Sequence, residues 1–197
     1  MQLILSSATL LLTSRNPSQL RGLRSIQRLR RQLNGAHAAT VGQRRQHVQL
    51  IVASTLSYLG VPVSHRDDWA RLLLLTIAAE SDGGRYLRQL HGPARGIVQC
   101  EPASERHALD WAKRKEPELY SRIRSLRVPA RLAVHEMEYN VAYATAVAYT
   151  LYSSRSVNPQ HCTLRDLSLL YKQHYNTPKG KATAAGAEAK ARAWGVQ

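Results

Sequence analysis

Nowhere along the chain do apolar and polar residues alternate with the period of two that a half-buried strand requires, whereas segment after segment repeats apolar residues at helical spacing. That pattern predicts an all-α fold. Val48, Ile51, Val52, Leu56 and Leu59 predict a helix over about 46–59, stopped by Gly60 with Pro62 just beyond. Ser64-His65-Arg66-Asp67 reads as a capping box opening a helix over about 66–82, which ends at Gly83-Gly84. After a loop rich in Gly and Pro (83–102), Pro102 at a first-turn position opens a helix to about Lys115, and Pro117 opens a shorter one. Pro129 precedes a long helical run over about 131–154, and Thr163-Leu164-Arg165-Asp166 is a second capping box, leading a helix to about His174. The Ala-, Gly- and Lys-rich stretch from Lys179 to Lys190 reads as a mobile or partly helical tail.

A chain of 197 residues, 44% of them hydrophobic, can fill one core of ordinary size and still carry an arm. Charge suggests where the arm ends. Residues 1–66 contain nine arginines and no acidic residue, while the remainder of the +15 charge sits among mixed signs. This asymmetry predicts a basic N-terminal helical arm (1–60), a domain over 61–180 and a tail over 181–197, with the first boundary near Gly60-Val61-Pro62. Within the arm, Leu20, Leu23, Ile26, Leu29 and Leu33 alternate with Arg21, Arg24, Arg28, Arg30 and Arg31 as an amphipathic helix would. Such a helix either contacts lipid head groups, nucleic-acid phosphates or an acidic partner, or docks with its basic face in water. The opening Met1–Leu12 lacks a basic leader region and a small-residue cleavage site, so no signal peptide is expected, and no run is apolar and long enough for a transmembrane helix. Cys100 and Cys162 read as free thiols.

Chemistry is concentrated at one helix end. Trp69, Leu72, Leu73, Thr76, Ile77 and Glu80 fall at i, i+3, i+4, i+7, i+8 and i+11, so Glu80 lies on the apolar stripe. Desolvation there would raise its pKa toward neutrality, as a general acid for glycosidic cleavage requires. The other reading of the same residue is a helix-terminal carboxylate paired to Arg85 or Arg95. Asp82 and Glu101 are candidates for a second carboxylate, although Asp82 should point away from Glu80. His135-Glu136 and His161-Cys162 lack correctly spaced companions for a metal, and neither a nucleophile elbow nor a phosphate loop is present. Tyr139, Tyr143 and Tyr149, at near-helical spacing, read as core.

Three blocks give this helix end a context. Glu80-Ser81-Asp82-Gly83-Gly84-Arg85-Tyr86, then Gly92-Pro93-Ala94-Arg95-Gly96-Ile97-Val98-Gln99, then Tyr171-Lys172-Gln173-His174-Tyr175-Asn176-Thr177, in that order and spacing, resemble the soluble lytic transglycosylase and goose-type lysozyme superfamily. The combination is also similar to a group of bacteriophage virion proteins with lysozyme-like domains. The likeness covers about residues 64–180; Val98 and Cys100 stand where Met or Leu is common, and Asn176-Thr177-Pro178 replaces the family's glycine-containing turn.

The resemblance implies a lysozyme-like helical domain in which Glu80 is the catalytic acid and then the base, acting toward the sugar's own 6-hydroxyl or toward water. It implies that Ser81 orients the sugar or the Glu, that Gly96 and Gln99 line the cleft floor beside Tyr86, and that Tyr175 and Asn176 hydrogen-bond Glu80 or an N-acetyl group. No cofactor is implied. The function so implied is that of a phage virion-associated protein that cleaves peptidoglycan glycan strands to open the cell wall during genome entry, acting in the host envelope. One alternative is a structural tail or internal virion protein that keeps the fold with little or no activity, assembling with itself or other virion proteins through the arm. Another is a basic helical module that binds nucleic acid or a membrane surface.

Overall fold

The computed structural model describes residues 42–127, 136–177 and 180–197. Among them every regular element is helical, with no strand beyond isolated bridges that tie Arg95 to Arg88 and Cys100. The helices are α1 (42–58), α2 (Val63–Ser81), α3 (Pro102–Lys115), α4 (Pro117–Ser125), α5 (Glu136–Tyr139), α6 (Val141–Ser153), α7 (Leu164–Tyr171) and α8 (Ala184–Ala193), with a π-helical turn, Lys172–Asn176, continuing α7. No described helix is long and apolar enough to cross a membrane. The basic helix expected over about 20–33 and residues 131–135 of the expected long run lie outside the described residues.

Helix α2 is the axis of the core, burying Leu72 through Ala79 without a break, because other helices cover it on all sides. It packs against α6, α7 and α8. Its last buried turn therefore delivers Glu80 to a position walled by other elements. At its start the expected capping box is absent: the helix begins at Val63 with Pro62 as its cap, and no side chain caps it. Pro62 presets the entry backbone and its carbonyl accepts from the His65 N–H at 2.9 Å, so Ser64 falls inside the first turn. The second capping box does form, with Thr163 accepting from the Asp166 N–H and Asp166 returning the bond to the Thr163 backbone.

Three further features differ from the sequence reading. Residues Arg44–Gln197 form one compact unit, so α1 belongs to the domain: Val48, Val52 and Leu56 are buried in the common core, and the boundary drawn near residue 60 moves to 43–44. The tail, expected to be mobile or partly helical, is helical over Ala184–Ala193 and is a core element too. Helix α8 sets Ala187 and Ala191 against α2 and α7, and Trp194 and Val196 beyond it are buried. The long run preceding 154 is broken at Asn140, whose side chain accepts from the Tyr143 N–H and so starts α6 afresh.

Candidate active site

The loop from Asp82 to Glu101 is built on Ser81, which is fully buried at the end of α2. Its hydroxyl donates to the Ile97 carbonyl at 2.6 Å and accepts from the Gly84 N–H at 2.8 Å. Ser81 thus staples the Gly-rich turn to the helix, directly beside Glu80 in the chain. Asp82 adopts the left-handed conformation that ends α2 and pairs with Arg85 at 3.6 Å. Gly96 also has positive φ, and a Cβ there would fall on the Met137 carbonyl, so only glycine lets the loop lie against α5. Buried Glu138 of α5 holds the same loop by ion pairs to Arg88 (2.7 Å) and Arg95 (3.5 Å).

Beside this loop lies a groove with a volume of about 460 Å³, and Glu80, Gln99, Glu101, Tyr171, Tyr175 and Asn176 are among its walls. Glu80 is half-buried. Its Oε1 accepts a hydrogen bond from Tyr171 Oη at 2.7 Å, and the Asn176 side chain shares the groove wall and favours the charged carboxylate. Burial raises the Glu80 pKa above the ordinary carboxylate value, while Tyr171, Asn176 and the charge of Lys190 pull partly the other way. The pairing with Arg85 or Arg95 does not form, since those arginines reach Asp82 and Glu138 instead.

The predicted residues divide. Glu80, Gln99, Tyr175 and Asn176 meet at the groove, where Gln99 is held by its own Nε2, which donates to the Gly96 carbonyl at 2.8 Å. Tyr175 does not reach Glu80 with its hydroxyl, which donates to the Val98 carbonyl at 2.9 Å; it is a wall and a strut for the loop. Gly96 shapes the loop, and Tyr86 is an exposed ring beneath the Arg85 guanidinium, away from the groove lining. Tyr171 was not assigned a role from sequence. Its signal was present nonetheless: Leu164, Leu167 and Tyr171 share the buried stripe of the capped helix α7.

An aromatic cluster braces the site from below. Tyr171 and Tyr175 stack with centroids 6.2 Å apart, Tyr175 lies 5.4 Å from Tyr152, and Trp69 meets both Tyr152 and Tyr149. Thr76 donates to the Leu72 carbonyl, so the 2.7 Å bond between Thr76 and Tyr152 runs from the tyrosine hydroxyl. Of the three tyrosines expected in the core, Tyr143 is buried, Tyr149 is partly buried against the core and Tyr139 is largely exposed. Cys100 also lines the groove, but burial pushes its thiol up to about 12, so it is no nucleophile near neutral pH. Among the described residues no three His, Cys, Asp or Glu side chains gather as ligands for a metal ion.

Chemically, the arrangement offers one carboxyl that retains its proton to higher pH than usual, opens on a polar groove, and is steadied by two neutral hydrogen-bond donors. Comparison with protein-family models, with curated proteins and with solved structures finds no match for this chain.

Proposed function

We propose that the protein is a lysozyme-like peptidoglycan-cleaving enzyme of the lytic transglycosylase type, carried in a phage particle and opening the cell wall locally as the genome enters. The observation that carries this reading is the protonatable Glu80 carboxyl at the wall of a groove, hydrogen-bonded by Tyr171 and flanked by Asn176. A glycosidic oxygen is a poor leaving group unless protonated, and an acid whose pKa is raised by burial can supply that proton near neutral pH.

In the proposed reaction Glu80 protonates the leaving oxygen, and its carboxylate then takes a proton from the sugar's 6-hydroxyl as that oxygen closes on the anomeric carbon. The product is a 1,6-anhydro end, with no water consumed. Tyr171 and Asn176 donate to the carboxylate formed midway and so stabilise it when it is charged. Three loop features support a groove of fixed shape: Ser81, Gly96 and the Tyr175 hydroxyl each lock the 82–101 segment. The unit Arg44–Gln197 holds 22 basic and 13 acidic residues, a net +9, which favours approach to anionic wall polymers. The bacteriophage setting rests on the resemblance of the three sequence blocks.

The test is cleavage of purified peptidoglycan by the wild type and by Glu80→Gln, with released fragments analysed by mass spectrometry. The wild type should release fragments with anhydro ends and the variant none, while helical circular dichroism stays unchanged. Equal clearing by both proteins would remove Glu80 from the chemistry, and reducing ends would replace the 6-hydroxyl by water.

A further inference from the structure

The π-helical turn after Tyr171 has a lysine at its first position and an asparagine at its last. Lys172 Nζ donates to Asn176 Oδ1 at 3.0 Å, to the Thr177 carbonyl at 2.8 Å and to the Gly180 carbonyl at 2.8 Å. An ammonium has three N–H donors and no acceptor, so these bonds satisfy it and the amide atom facing it must be the oxygen. The NH2 group of Asn176 is thereby left for its other neighbours. Those neighbours are Glu80 and Tyr171, which line the same groove and whose charged forms the Asn176 side chain favours.

Two backbone features show that this clamp shapes the local chain. A Cβ on Gly180 would land on the amide oxygen and the carbonyl of Asn176, so only glycine lets the Gly180 carbonyl close over the lysine. Thr177 holds φ 65° and ψ 160°, a region sparsely populated by any residue with a side chain, and its carbonyl is one of those that Lys172 binds.

We propose that Lys172 is a positioning residue for Glu80: by taking the amide oxygen of Asn176, it turns that side chain's donors onto Tyr171 and the Glu80 carboxyl. The donors then all run one way, from Lys172 to Asn176, from Asn176 to Tyr171, and from Tyr171 to Glu80. An unclamped amide could turn its oxygen toward the carboxyl, replacing attraction by repulsion and weakening the hold on the anion. The word acid for Glu80 rests on the proposed function; the orientation of the amide does not. Other groups also act on or around Glu80: Tyr175 from the π turn, Tyr152 of α6, Cys100 of the loop and Lys190 of α8, with Arg155 and Glu101 on the groove wall. A shift caused by Lys172 must therefore be traced through Asn176.

The experiment is a carboxyl 13C NMR titration of Glu80 in the full chain, for the wild type, Lys172→Met, Lys172→Arg, Asn176→Ala and the double variant Lys172→Met/Asn176→Ala. Lys172→Met and Asn176→Ala should each raise the Glu80 midpoint by roughly half a pH unit or more, because a donor to the anion is lost. Lys172→Arg, which still donates, should stay nearer the wild type, and Lys172→Met should add nothing once Asn176 is alanine. An unmoved midpoint in Lys172→Met, or the same shift with and without Asn176, would overturn the proposal, the latter by showing that only the charge matters. Should Lys172→Met not fold, Gly180→Ala, which displaces the Asn176 amide while keeping the lysine, must raise the midpoint; no rise there refutes the mechanism equally. The midpoint is read without substrate. Failure of the wild type to cleave peptidoglycan would thus remove the enzymatic reading separately from this one.

Discussion

At Glu80, burial and charge pull against each other, and the balance has a consequence for stability as well as for reactivity. Burial penalises the anion more than Tyr171, Asn176 and Lys190 favour it, so the group titrates higher in the folded chain than in the unfolded one. The folded state then holds the proton more tightly. The stability contributed by protonated Glu80 is complete below the unfolded value, about 4.3 for a glutamate, and is lost as pH rises through the folded value. Glu80→Gln carries no charge at any pH and keeps the shape, so it should match the wild type in melting temperature near pH 4 and exceed it near pH 8. A gap that does not widen with pH would mean that the buried anion costs nothing. Glu80 was legible in the sequence because a carboxylate on an apolar stripe breaks a simple pattern. The convergence of Tyr171 with Asn176 was not, because α-helical spacing groups residue 171 with 175, whereas residues five apart lie about 140° apart on an α-helix. The π turn winds more loosely and brings Tyr171 and Asn176 to the same carboxyl.

At the scale of elements, the unbroken apolar character of the segment before residue 154 concealed a joint. Asn140 ends α5 and begins α6: its Oδ1 accepts from the Tyr143 N–H at 2.9 Å, and its Nδ2 donates to the Leu126 carbonyl at 2.7 Å and to Glu136 Oε1 at 2.6 Å. Asparagine competes with the helix for backbone partners, and here the competition is won because Leu126, the residue that caps α4, supplies a carbonyl at the right place. A single sequence contains no sign of that tertiary partner. Asn140→Ala removes a cap and two further hydrogen bonds together, and should lower stability by roughly 2–4 kcal/mol, measured by urea denaturation. Asn140→Asp retains the cap but sets a second carboxylate against Glu136, so it should recover little of the loss. If aspartate restores full stability, the cap alone is what matters. The helices opened by Pro102, Pro117 and Thr163 were readable to within a residue or two because their start signals are local.

Over the whole molecule, charge and composition located the domain ends differently from packing. The acidic-free stretch through residue 66 suggested an arm ending near 60, yet α1 carries Val48, Val52 and Leu56 into the core, and the half-buried Arg44 and Arg45 in its first turn do not alter that. At the other end, Ala and Gly read as a mobile or partly helical tail because they bury little area individually. Their smallness is instead what lets α8 approach α2 and α7 closely, with Trp194 and Val196 closing the contact, Lys190 Nζ donating to the Ala79 carbonyl at 2.7 Å and Arg71 of α2 donating to the Gln197 carbonyl at 2.6 Å. Two truncations follow. Deleting residues 1–43 leaves the compact unit Arg44–Gln197 intact, and should give a cooperatively unfolding protein whose melting temperature lies within a few degrees of the full chain's. Deleting 183–197 strips buried Trp194, Val196, Ala187 and Ala191 from the core and exposes the faces of α2 and α7 beneath them. At about 25 cal/mol per Å² of apolar surface, with cavity costs added, that loss is roughly 5 kcal/mol or more, comparable with the whole stability of a domain this size. The shorter chain should therefore lack a cooperative thermal transition. A sharp transition near the wild-type temperature after removal of α8 would restore the tail to the role its composition suggested, and would place the essential core of the domain between α1 and α7.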